Sequence, residues 1–181
     1  MDHISPAART AFGQIIQRSI RAMVGHTPQD EVQVVPLAGQ APRRPAEQSV
    51  LVFTISSFRF RMLVLFPLSE DPAVRAHYTA GDTGSRFEDV FAEIGNLTCG
   101  AINRDLSMIF PHLGMSTPYA LPSQCTEFID ALNPEYQLHL AMSVNDSMKL
   151  TAQVAVCAYA PIDFTLPAIA GQTEVGELEM Y

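Results

Sequence analysis

The chain has 181 residues, enough for one well-filled core, and nearly half of them are hydrophobic, yet no run reaches the ~18 consecutive apolar residues that a membrane helix requires. Its 19 acidic against 11 basic residues give a net charge of -8, which argues against a nucleic-acid footprint and suits a partner that carries basic groups. Three widely spaced cysteines, and a start from Met1 to Pro6 without the basic and apolar signature of a secretory signal, point to the reducing cytoplasm.

Taken in chain order, Ser5-Pro6 reads as an N-cap and first helical position. Ala8, Phe12, Ile15, Ile16, Ser19, Ile20 and Met23 then recur at three and four residues, so a first amphipathic helix runs to about Gly25. Val32 to Leu37 has strand composition. Residues 36–48, punctuated by Pro36, Gly39, Pro42 and Pro45, read as a proline-rich connector; its Arg43-Arg44 pair is too short for a groove-binding surface. Val50 to Ile55 and Phe58 to Phe66 are rich in β-branched and aromatic residues and are joined at Ser56-Ser57, which predicts a hairpin.

Glu70 to Ala80 reads as a short helix opened by Ser69 or Asp71 with Pro72 in its first turn. Gly81 to Gly84 breaks the chain, and Ser85 is the expected cap of a long helix reaching about Met108, before Pro111. Met115 to Phe128 is expected to be extended. Tyr136 to Val144 and Met148 to Tyr159 are expected to pair across an Asn145-Asp146-Ser147 turn. The order of elements lacks the repeated βα alternation of a doubly wound sheet and predicts an α+β fold, an antiparallel or mixed sheet covered by a few helices. We expect a single domain over residues 1–165, followed by an acidic, mobile tail over 166–181.

The long helix holds the most informative pattern. At helical spacing Asp89, Glu93, Asn96, Gly100 and Asn103 form one polar stripe, while Phe87, Val90, Phe91, Ile94, Thr98, Ala101 and Ile102 fall largely on the opposite side. Burial of the apolar side leaves a carboxylate and a carboxamide, Glu93 and Asn96, one turn apart and available. Gly100 would let a partner surface approach closely. Asp89 and Asn103 read as hydrophilic helix surface. Cys99, Cys125 and Cys157 have no CxxC spacing or histidine cluster and read as buried thiols, with no metal site expected. His112 reads as a loop residue; an unrelated enzyme using Cys99 or His112 would need a concave pocket around them.

Residues 87 to 121 resemble the CheC/CheX superfamily of bacterial chemotaxis phosphatases. The matching elements are Glu93-Ile94-Gly95-Asn96 on a helix, the following Gly100, and Ser116-Thr117-Pro118 leading into a strand. The likeness extends outward to the N-terminal amphipathic helix, two central strands and the short helix before the motif. Only one such motif is present: the later Glu127-Phe128-Ile129-Asp130 lacks the amide, so the chain is more similar to the single-motif CheX type.

This resemblance implies a phosphatase that stimulates hydrolysis of the aspartyl phosphate on a phosphorylated, CheY-like receiver domain. It implies that Asn96 holds the attacking water and that Glu93 pairs with the receiver's active-site lysine. No cofactor is expected on this chain, since Mg²⁺ would sit in the receiver. Relatives of the CheX type often associate through their sheets, which implies a homodimer. The alternative is a non-catalytic binding module of the same fold in chemotaxis, motility or two-component signalling.

Overall fold

The computed structural model describes residues 3–38, 48–80 and 86–167. Helix α1 spans Pro6–Met23, with the Ser5 hydroxyl accepting from the Ala8 N–H at 3.1 Å and Pro6 in the first turn. Strands β1 (Val32–Pro36), β2 (Ser49–Ser56) and β3 (Phe60–Pro67) follow. Helix α2 (Pro72–Thr79) is capped by Asp71, whose carboxylate accepts from the Ala73 N–H at 2.8 Å. Helix α3 (Phe87–Ser107) leads to the short strands β4 (Gly114–Met115) and β5 (Tyr119–Pro122), a 3₁₀ segment at Ser123–Leu132, and the long pair β6 (Tyr136–Val144) and β7 (Met148–Ala158).

The strands form one antiparallel sheet in the order β1-β6-β7-β3-β2-β4, with β5 also beside β2. Period-two alternation sorts its side chains. Leu51, Phe53 and Ile55 of β2, Met62, Val64 and Phe66 of β3, and Ala152, Val154 and Val156 of β7 pack with the inner stripes of α1 and α3 in the main core. Val50, Val52, Leu65 and Ala155 face the other way, under Ile129 of the 3₁₀ segment. The fold is therefore α+β, with α1 and α3 laid on one face of the sheet.

Three sequence expectations are corrected. Residues 115–128 are not one extended run, because chain pairing stops at Pro122. From there Ser123, Thr126 and Ile129 recur every three residues on the inner side of a 3₁₀ turn, whose three-residue repeat suits that spacing where a strand would need alternation. Phe58 lies in the β2–β3 turn rather than in a strand and is 91% exposed: the Ser57 hydroxyl accepts from the N–H groups of Arg59 (3.0 Å) and Phe60 (3.2 Å) and widens the turn. The residue capping α3 is Arg86, with no side-chain cap. The expected cap Ser85 lies outside the described residues, as do most of the 36–48 connector and the 166–181 tail.

The edge beside β2 carries a bulge. Ile55 pairs with Met115 but Val52 pairs with Tyr119, so Ser116, Thr117 and Pro118 span the distance covered on β2 by Phe53 and Thr54 alone. Ser116 holds the bulge from both of its polar ends, the N–H donating to the Thr54 carbonyl at 3.0 Å and the hydroxyl accepting from the Thr54 N–H at 2.9 Å.

Candidate functional site on the α3 face

Helix α3 is fixed near both ends by ion pairs to neighbouring helices. Near its start, Arg75 of α2 donates to Glu88 at 2.8 Å and lies over the Phe87 ring at 4.7 Å; the Arg75 hydrogen bond holds the Glu88 carboxyl below its ordinary value. Glu88 and Asp89 in the first turn also oppose the positive end of the helix. Near its end, Arg18 of α1 donates to Asp105 at 2.8 Å. Between these points Phe91, Ile94, Thr98, Cys99 and Ile102 are buried, as the apolar stripe requires.

Gly95 sits where the helix lies tightly on the sheet edge. A Cβ built there would stand 3.6 Å from both the Phe53 ring and the Pro118 ring. The bulge residue Pro118 thus lies one methyl group's width from the helix turn that carries Glu93 and Asn96, which brings the Glu-x-x-Asn and Ser-x-Pro elements side by side.

On the outer side Glu93 is exposed and Asn96 half-buried. Neither side chain makes a hydrogen bond or ion pair with another described residue, so both are available to a ligand or partner. Asp89 is exposed on the same face, and nothing stands within 4 Å of a Cβ built on Gly100. Asn103 departs from the expected stripe, since its Oδ1 is buried and has no hydrogen-bond partner among the described residues. Leu97, 49% exposed, and the exposed Arg104 join this face instead. The signal for Leu97 was in the sequence: it lies one turn beyond Glu93 and beside Asn96.

The other candidates are not brought together with this pair. Burial pushes the Cys99 thiol up to about 12, which keeps it protonated at neutral pH and unsuited to nucleophilic attack. Burial also raises Cys157, whose thiol donates to the Leu132 carbonyl at 3.5 Å on the far side of the sheet. His112, with φ of 63°, lines a cavity of about 300 Å³ with Phe58, Arg59, Ile109, Phe110 and Asp163; Cys99 is not part of that lining. No group of three or more metal-ligating side chains occurs among the described residues, and no described helix is long and apolar enough to cross a membrane.

No family model and no curated protein sequence matches the chain. Solved structures do. CheX from Vibrio vulnificus is similar with a TM-score of 0.54 and 12% identity over 80% of this chain and 98% of that one. CheX from Borrelia burgdorferi, solved in complex with CheY, BeF3 and Mg²⁺, is similar with a TM-score of 0.54 and 12% identity over 81% of this chain and 96% of that one. The FliM middle domain from Vibrio alginolyticus is similar with a TM-score of 0.57 and 8% identity over 84% of this chain and 94% of that one. The architecture is that of the chemotaxis proteins of CheC/CheX type. On this CheX/CheC-like fold the chain carries its Glu-x-x-Asn on α3.

Proposed function

We propose that this chain is a cytoplasmic phosphatase that accelerates hydrolysis of the aspartyl phosphate on a CheY-like response-regulator receiver. The observation that carries the reading is the open pair on α3: Glu93 and Asn96 share a helix face, one turn apart, with no side-chain partner for either among the described residues. The CheX from Borrelia burgdorferi, solved with CheY, supports a receiver as the partner.

Phosphoryl transfer depends mainly on positioning and on stabilising charge. Asn96 can donate and accept at once, so its carboxamide can hold a water in line with phosphorus, and being neutral it adds no repulsion against the phosphoryl oxygens. Glu93 pairs with the receiver's active-site lysine and fixes the docked pose. Mg²⁺ belongs to the receiver, and this chain supplies no cofactor.

The test is phosphate release from CheY-type receivers charged with acetyl phosphate and Mg²⁺, comparing wild type with Asn96→Ala. Faster release with wild type and loss of the stimulation in the variant is the expected result; equal rates refute the assignment. A second reading is a binding module of the same fold without catalysis. It predicts receiver binding with no acceleration. Either reading is compatible with the homodimer that the resemblance implies, to be measured by sedimentation velocity.

A further inference from the structure

The exposed face of α3 does not end at Asn96. At 100° per residue, Glu93, Leu97, Arg104 and Met108 fall within about 60° of one another along one flank, with Gly100 leaving open space between them. Arg104 is exposed, Leu97 is 49% exposed and Met108 is 86% exposed. Two apolar side chains in water on the same flank as a free carboxylate form a row about 22 Å long, from fifteen residues at about 1.5 Å each.

Single exposed apolar residues are ordinary on any surface, but these two lie on the flank of Glu93, and Leu97 is next to Asn96 in the chain. A stable contact buries about 800 Å² on each partner, which corresponds to a patch about 30 Å across. A patch of that width with Glu93 toward one end covers Leu97 and takes in the row as far as Met108, about 22 Å away. Leucine and methionine there contribute apolar area, and the flexible thioether adapts to the opposing surface.

Resting on the phosphatase reading, we infer that Leu97 and Met108 are the apolar anchors by which a CheY-type receiver is held while Asn96 acts. Glu93 orients the receiver at one end of the row, Leu97 seats it beside Asn96, and Met108 closes the contact at the far end. Neither anchor reaches the reacting atoms. Their loss weakens association, not the chemical step of the docked complex.

The experiment uses the full chain and CheY-type receivers, measuring Kd with receiver activated by beryllofluoride and steady-state release with acetyl phosphate and Mg²⁺. Leu97→Ala and Met108→Ser are each expected to raise Kd and KM about five- to tenfold with kcat retained, and Leu97→Met to restore wild-type values. Asn96→Ala is expected to remove turnover with Kd retained. If Leu97→Ala and Met108→Ser leave Kd and KM unchanged while Asn96→Ala removes turnover, the anchors are overturned and the phosphatase stands. If Asn96→Ala changes nothing but the anchor variants lose binding, the docking face stands without the catalysis. Failure of the wild-type chain to bind any receiver overturns both.

Discussion

Gly95 and Phe53 are separated by the width of one methyl group: a Cβ on the glycine would lie 3.6 Å from the phenylalanine ring, an ordinary van der Waals distance. Glycine in a helix interior costs roughly 0.5–1 kcal/mol relative to alanine, and nothing at this site requires its absence of a side chain. Gly95→Ala is expected to stabilise the chain by up to about 1 kcal/mol, or about 2–4 °C in Tm. Thermal unfolding checks this, and a lowered Tm would mean that the Phe53 and Pro118 rings cannot yield.

Gly100 offers the contrasting case. Its Cβ position is open, so Gly100→Ala is also expected to stabilise the helix by about 0.5–1 kcal/mol. On a docking face, however, the added methyl holds the partner away. Higher Tm with weaker receiver binding is the expected combination, measured by unfolding and by affinity on the same preparation. Higher Tm with unchanged affinity would place the contact elsewhere.

Asn96→Ala is expected to lower the stimulated rate about 10²-fold, the scale on which a misplaced reacting group acts. Its far-ultraviolet circular dichroism and Tm should match wild type, because the side chain has no hydrogen-bond partner among the described residues to lose. Glu93→Gln is expected to raise KM more than it lowers kcat, since it removes a charge used in docking. A kcat loss in Glu93→Gln equal to that in Asn96→Ala would merge the two roles.

Asp30 predicts how stability responds to acid. Burial alone would push its carboxyl up, but hydrogen bonds from the Thr27 and His26 N–H groups (2.9 and 2.8 Å), Asn145 (2.9 Å) and His77 (3.0 Å) outweigh it and hold the group well below the usual carboxylate range. A depressed native value means that this stabilisation is complete above the unfolded value near 4 and is lost as the pH falls below it toward the native one. Asp30→Asn is expected to be less stable than wild type by about 2–3 kcal/mol at neutral pH, with the gap narrowing below about pH 4. Urea unfolding at a series of pH values measures the gap; a constant difference would contradict the assignment.

Thiol labelling separates the site from the rival chemistry. With its value pushed to about 12 and its side chain fully buried, Cys99 is expected to resist a disulfide reagent at pH 8 in the native chain and to react on denaturation. Rapid native labelling of Cys99, mapped by mass spectrometry, would reopen the reading that uses it as a nucleophile.

The residues of α3 were legible because one pattern served two purposes. The spacing that buries Phe91, Ile94, Thr98 and Ile102 necessarily turns Glu93 outward, so secondary structure and candidate site were read from the same 3.6-residue period. Asn103 escaped that logic, because its Oδ1 is buried although its position continues the polar stripe. The antiparallel pairing of β6 and β7 was equally plain from two apolar runs around Asn145-Asp146-Ser147. What sequence could not supply was tertiary context. Whether Met115 to Phe128 continues as strand depends on where its ladder with β2 ends; it ends at the Ser49–Pro122 pair, and the chain then turns into the 3₁₀ segment that lays Ile129 over Val50, Val52, Leu65 and Ala155. Phe58 looked like strand interior, and only the Ser57 hydroxyl bonds show why it is left in the turn.

The bulge at Ser116 to Pro118 has a role beyond bracing the helix. It breaks the outer edge of the sheet into pieces of two and four residues, with one proline inside the break and another, Pro122, at the end. A foreign strand needs an uninterrupted row of N–H and C=O groups to add itself to a sheet, and this margin offers none. The same few residues that seat the Glu93–Asn96 turn thereby guard the edge nearest to it against runaway self-association and aggregation.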